Sequence, residues 1–125
     1  MWLFVDTSER DFARVALLGP RIVIRTATGR GRVLHALSAV LPARRLSAVS
    51  GVCVVAGPGP FSAVRSGVLV GNLLARVLGV PLMRILKDDA SDLRRVQARL
   101  REGYLRPVAY VSPIYDAEPN ITCRP

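Results

Sequence analysis

The 125-residue sequence predicts a single α/β domain, with a mixed sheet between helical layers. Three observations predict it. The chain opens with three short apolar runs separated by polar or Gly-Pro turns. A continuous apolar run, Val52 to Val55, leads straight into the turn "GPGP" and then a long helix pattern. From Val33 to Leu41, apolar residues recur at spacings of three and four. Half the residues are hydrophobic, enough for a globular core at this length.

Trp2 to Val5 is apolar and ends in Asp6-Thr7-Ser8, a strand followed by a polar turn. Ala13 to Leu18 is a second strand. Gly19-Pro20 turns the chain, and Arg21 to Thr26 alternates as a half-exposed strand does. These three form an antiparallel meander. Val33, Leu34, Leu37, Val40 and Leu41 mark an amphipathic helix ending at Pro42. Val52 to Val55 has the continuous apolar character of a strand buried on both faces. A helix from Ser62 to Leu78 follows, with Ser62 as its predicted N-cap and Gly79 as its stop. Pro81 to Leu86 is a further strand. A polar helix spans Asp88 to Glu102, with Asp88, Asp89 and Asp92 at its start and Arg94, Arg95, Arg99 and Arg101 toward its end, an order that suits the helix dipole. The segment from Tyr104 onward, rich in proline, is expected to be an extended tail with one short strand near Val108 to Val111. The order is β-β-β-α-β-α-β-α, a meander feeding right-handed crossovers.

Composition narrows the chemistry. The formal net charge is +9, almost all of it arginine, since Lys87 is the only lysine. Such a surface favours nucleic acid or an acidic partner, although no aromatic residues interleave the arginines in sequence. The two cysteines, Cys53 in a strand and Cys123 in the tail, make neither a disulfide framework nor a metal-ligand pattern. The N-terminus lacks a basic n-region, and the longest apolar stretch is broken by Asn72, Arg76 and Pro81, so a soluble cytoplasmic protein without membrane contact is expected. The single histidine, His35, has no acidic or histidine neighbour one turn away and reads as a surface residue. No catalytic group, metal site or cofactor is expected. Asp6 is the one acid at a strand end, where α/β sheets place functional groups. Its plainer role is to cap the Asp6-Thr7-Ser8 turn.

The "AGPGPFSAVRSG" loop has glycines that permit close backbone approach, but Pro58 and Pro60 lack amide protons and the P-loop Lys-Ser/Thr is absent. A stiff elbow of Gly57, Pro58, Gly59, Phe61, Ser62 and Arg65 is the expectation. Beyond it, Ala63, Gly67, Gly71 and Ala75 recur every four residues, a bare stripe on one helix face. Each helical glycine costs about 0.5–1 kcal/mol relative to alanine, so two need a packing reason. Either the stripe packs within the chain or it receives a second subunit.

Several motifs together resemble one family. "LFVDTSERDFARVALL", "RVLHALSAVL", the run "GPGPFSAVRSG" from Gly57 to Gly67, "LGVPL" from Leu78 to Leu82, and the tail "SPIYDAEP" are similar to the TsaB (YeaZ) family. Pro60 stands where that family has serine, and Ala63 where it has glycine. The resemblance implies one lobe of an actin-like and Hsp70-like (ASKHA) fold, with a mixed five-stranded sheet, over residues 1–87. It further implies a helix at 88–103 in place of the family's second lobe, and a tail at 104–125. With one lobe of the nucleotide cleft absent, weak or no ATP binding is expected. The resemblance implies a non-catalytic partner of TsaD in making threonylcarbamoyladenosine on tRNA. TsaD itself carries paired metal-binding histidines, which this sequence lacks. Docking to a TsaD-type protein, or to a second copy as a homodimer, is expected through the two helices, at Val33, Leu37, Ala63, Gly67, Val70, Gly71, Leu74 and Ala75, with tRNA met through the complex. Two alternatives remain: a nucleotide- or phosphate-binding protein using Asp6, Thr7 and the Gly57–Gly59 turn, and a basic homodimeric RNA-binding module.

Overall fold

The computed structural model describes residues 1–103 and 105–116. Strands β1 (Trp2–Asp6), β2 (Phe12–Leu18) and β3 (Ile22–Thr28) form the expected meander. Helix α1 (Arg32–Val40), strand β4 (Gly51–Gly57), helix α2 (Phe61–Leu78), strand β5 (Leu82–Leu86) and helix α3 (Leu93–Arg101) follow. The five strands make one mixed sheet in the order β3-β2-β1-β4-β5. β1 pairs antiparallel with β2 and parallel with β4, and β4 pairs parallel with β5.

Alternation along each strand explains why helices cover both faces. Leu3, Val5, Val15, Leu17, Val52, Val54 and Leu82 pack with Ala36 and Val40 of α1 and Val64, Val68 and Ala75 of α2. Their neighbours Phe4, Ala16, Leu18, Cys53, Val55, Met83 and Ile85 pack with Leu93, Val96 and Leu100 of α3. β4 is buried along its whole length because both faces are covered, as its unbroken apolar sequence requires. α3 therefore completes the core of the same domain.

Three boundary expectations are corrected. Ser62 does not cap α2. The helix starts at Phe61 with Pro60 at the cap position, where the proline ring supplies φ −59° and the carbonyl accepts from Val64 N at 2.9 Å. Asp88 and Asp89 do not begin the last helix. They lie in a 3₁₀ turn, Lys87–Asp89, and α3 starts five residues after Asp88, capped by Asp92, whose Oδ1 accepts from Arg94 N at 3.0 Å. Val108 to Val111 is not a strand.

The tail nevertheless has a fixed course. Val108 N donates to Leu82 O at 2.8 Å, and Met83 and Pro107 form an antiparallel bridge, so the tail closes the start of the β5 edge. Asn72 of α2 grips Val111 twice, through Nδ2 to its carbonyl at 3.0 Å and through Oδ1 from its amide at 2.7 Å. Ile114 N then donates to Ala56 O at 2.7 Å. β3, at the opposite edge, carries exposed Ile24, Arg25 and Thr26. Residues 117–125, with Cys123, lie outside the described residues.

Candidate functional site

Two regions hold the residues singled out in sequence: the loop after β1, and the α1–α2 face of the sheet. At the loop, Asp6 caps the turn. Its Oδ1 accepts from Ser8 N at 2.9 Å and from Ser8 Oγ at 2.6 Å, while Oδ2 pairs with Arg14 at 3.0 Å. Arg14 also donates to Ala90 O at 2.8 Å and lies 5.3 Å above the Phe4 ring. This tie holds β1, β2 and the approach to α3 together. Across a shallow polar concavity, Lys87 pairs with Glu9 at 3.2 Å. Both cations there already face carboxylates, and Asp88 adds a third acid to the lining, so the concavity is poorly charged for phosphate.

Thr7 points away from it. Its side chain is buried on the α2 side, where Thr7 Oγ1 faces Gly67 and has no hydrogen-bond partner among the described residues. The Gly57–Gly59 turn is closed as well. Gly57, at φ +120°, lies so near the Ile114 carbonyl that a Cβ would collide with it. Gly59 N donates to Ile114 O at 3.2 Å, and Asp116 N to Gly59 O at 3.0 Å. Pro58 and Pro60 offer no amide. The chain's own tail takes what a phosphate would need, so Asp6, Thr7 and the turn are not brought together as an anion cradle. Beyond the turn, Phe61 stacks on Tyr115 with ring centroids 4.6 Å apart, and the Arg65 guanidinium sits 5.3 Å from the Phe61 ring centre. Arg65 thus braces the elbow from its exposed side.

On the helical face the glycine–alanine stripe is not where the docking expectation put it. Ala63, Gly67, Gly71 and Ala75 are all buried beneath α2. A Cβ at Gly67 would collide with Thr7, and one at Gly71 with the Val54 Cγ2 methyl. The stripe lets α2 settle directly on β1 and β4 and is covered by the sheet itself, so it cannot receive a partner. Val33 is buried too, while Leu37, Val70 and Leu74 are half-buried. The surface instead belongs to residues that the docking expectation left out. Leu69, Leu73 and Val77 recur every four residues on the outer side of α2, at 68%, 57% and 71% exposure, and Leu34 of α1 is 57% exposed. The signal was present as a second series at helical spacing. It was hidden because both sides of α2 are apolar, the inner one small and the outer one large.

Cys53 is buried in β4, and burial pushes its thiol up to about 12, outweighing the opposing influence of the Arg99 charge. It is inert at neutral pH. Among the described residues no cluster of histidine, cysteine, aspartate or glutamate is placed to hold a metal. α2 is long and apolar enough to cross a membrane by length and composition, but its small-residue face is packed on the sheet.

The fold, an antiparallel β1–β3 unit whose first strand pairs in parallel with β4 and, through it, β5, matches that of YeaZ from Pseudomonas aeruginosa. The TM-score is 0.64 at 28% sequence identity over 82% of this chain. The chain is YeaZ-like. A second Pseudomonas aeruginosa structure, described as an uncharacterized protein similar to peptidase YEAZ, matches with TM-score 0.61 and 26% identity, again over 82% of this chain. The YeaZ-like chain spans about half the length of these structures, 51% and 49% respectively. No family model matches it, and no curated protein matches it.

Proposed function

We propose that the chain is a non-catalytic, TsaB-like scaffold, one lobe of actin-like (ASKHA) type. It docks a TsaD-type subunit through the outer face of α1 and α2 and so supports threonylcarbamoyladenosine modification of tRNA. The observation that carries this reading is the outward series Leu69, Leu73 and Val77 on a YeaZ-like fold. Burying each such side chain contributes about 1.5–3 kcal/mol, and three on one ridge form the apolar centre of an interface.

Charge supports a different polypeptide over a second copy as occupant. No aspartate or glutamate occurs between Asp11 and Asp88, so α1, α2 and their flanking loops carry only positive charge. Exposed Arg65 and Arg76 border the apolar ridge. Two such faces repel at the rim, whereas a partner with an acidic rim is attracted.

Mixing the chain with the TsaD-type subunit of its own genome and measuring association by calorimetry tests the reading. Leu69→Glu together with Leu73→Glu abolishes the complex while the circular dichroism spectrum and melting temperature stay unchanged, because both residues face solvent in the free chain. Wild-type binding by that double variant overturns the proposal. Titration with ATP and magnesium shows no micromolar binding, since the turn that would hold phosphate is closed by residues 114–116.

A further inference from the structure

The face of the sheet away from α1 and α2 carries a second, differently built surface. Arg21, on the β2–β3 turn, and Arg94 and Arg101, on α3, line one concavity of about 550 Å³ between those elements. Arg94 and Arg101 are seven residues apart, two helical turns, so they share one edge of α3 about 10 Å apart along its axis. Gln97 lies between them and donates to Gly19 O at 2.7 Å, which pins the helix to the turn and fixes the spacing of the three guanidiniums.

None of the three is neutralised by an acid among the described residues. The ion pairs among the described residues, Arg14–Asp6, Lys87–Glu9 and Arg99–Asp89, all draw on carboxylates at the other end of the sheet, around the β1 loop and the turn after β5. Among the described residues no acid lines the concavity, and Glu102, one position beyond Arg101, is not part of it. An adjoining concavity shares Arg101 and Gln97 and adds partly exposed Trp2. The fold therefore places an aromatic ring beside the arginines, a juxtaposition invisible in their linear order.

We propose that this groove binds the phosphodiester backbone of RNA. Three uncompensated cations around one open groove attract an anion. Their spread over about 10 Å suits a chain of repeated charges, spaced about 3.4 Å apart along a helical strand, better than one small phosphate. Guanidinium forks pair bidentately with phosphate oxygens. Trp2 offers a surface on which an unpaired base stacks, something an acidic peptide would not use. The groove lies on the opposite face of the sheet from the α1–α2 ridge, so one chain can hold RNA and a protein partner at once.

Fluorescence anisotropy with the full chain and a labelled tRNA tests this. No TsaD-type subunit is present, so the outcome is independent of the docking proposal. Arg21→Glu/Arg94→Glu/Arg101→Glu is compared with a variant of the same net charge, Arg25→Glu/Arg30→Glu/Arg44→Glu. The groove variant loses tenfold or more in affinity at low salt, and its log–log salt slope becomes shallower by about 2, from three contacts at ~0.7 each. The control loses far less. Arg→Gln versions, which keep much of each aliphatic stem, give the same ranking. Trp2→Phe, retaining a ring, binds more tightly than Trp2→Ala. Equal losses in the two triple variants, no tRNA binding by the wild type, or displacement of tRNA by polyglutamate or inorganic phosphate at equal charge concentration would each overturn the proposal.

Discussion

Gly71→Ala separates the two meanings that a small residue in α2 can have. In a solvent-facing helix the change stabilises by about 1 kcal/mol through propensity alone. Here the new methyl would overlap Val54 Cγ2, with Val54 Cβ only 3.3 Å away. Val54 is fully buried in β4, between β1 and β5, and opposite Val5. A β-branched side chain in that position has little rotamer freedom with which to yield. Overpacking of this kind costs about 1–3 kcal/mol, which cancels or outweighs the propensity gain and leaves a net loss of up to about 2 kcal/mol. At about 4 °C per kcal/mol for a domain of this size, the melting temperature falls by up to about 8 °C. Val54→Ala removes the obstructing methyls, and in that background Gly71→Ala becomes stabilising by about 1 kcal/mol. The coupling between the two changes is then about 1–3 kcal/mol. Urea denaturation of the four proteins in the cycle measures it. Stabilisation by Gly71→Ala in the wild-type background, with no coupling to position 54, would refute the close approach of α2 to the sheet.

Thr7→Val replaces a buried hydroxyl that has no partner among the described residues with a methyl group, so the urea midpoint stays the same or rises by up to about 1 kcal/mol equivalent. A large loss would show that the hydroxyl is bonded after all. Cys53 sets a pH limit. Its folded thiol, raised to about 12 from 9.0, keeps its proton while the unfolded chain releases one, so stability falls by about 1.4 kcal/mol per pH unit above pH 9. Cys53→Ala costs stability at neutral pH through the smaller side chain but flattens that alkaline slope, as denaturation at pH 7 and pH 10 would record. Alkylation of the wild-type thiol at pH 7 proceeds only on unfolding.

The order of elements was legible because each signal was local. Val52 to Val55 could only be a doubly buried strand, and the Gly-Pro turns punctuated everything else. Direction was less legible. A spacing of four identifies a stripe on α2 but not which side of the helix it occupies. Two stripes at that spacing coexist here, so Gly67 and Gly71 drew an expectation of exposure that the fold gives to Leu69 and Leu73. The start of α3 was obscured by three aspartates close together, of which only Asp92 has the geometry to cap. The residues around the groove at Arg21 and Arg101 are distant in sequence from each other and from Trp2, and only the fold brings them together.

The two margins of the sheet are unequal, and this limits how copies of the chain can add to one another through backbone pairing. One margin is already occupied where Pro107 and Val108 lie along the start of β5. Among the described residues, only β3 is an edge open along its full length. A neighbour joining there would leave its partly covered side outward, so strand addition beyond a pair is hindered where the tail lies along the start of β5.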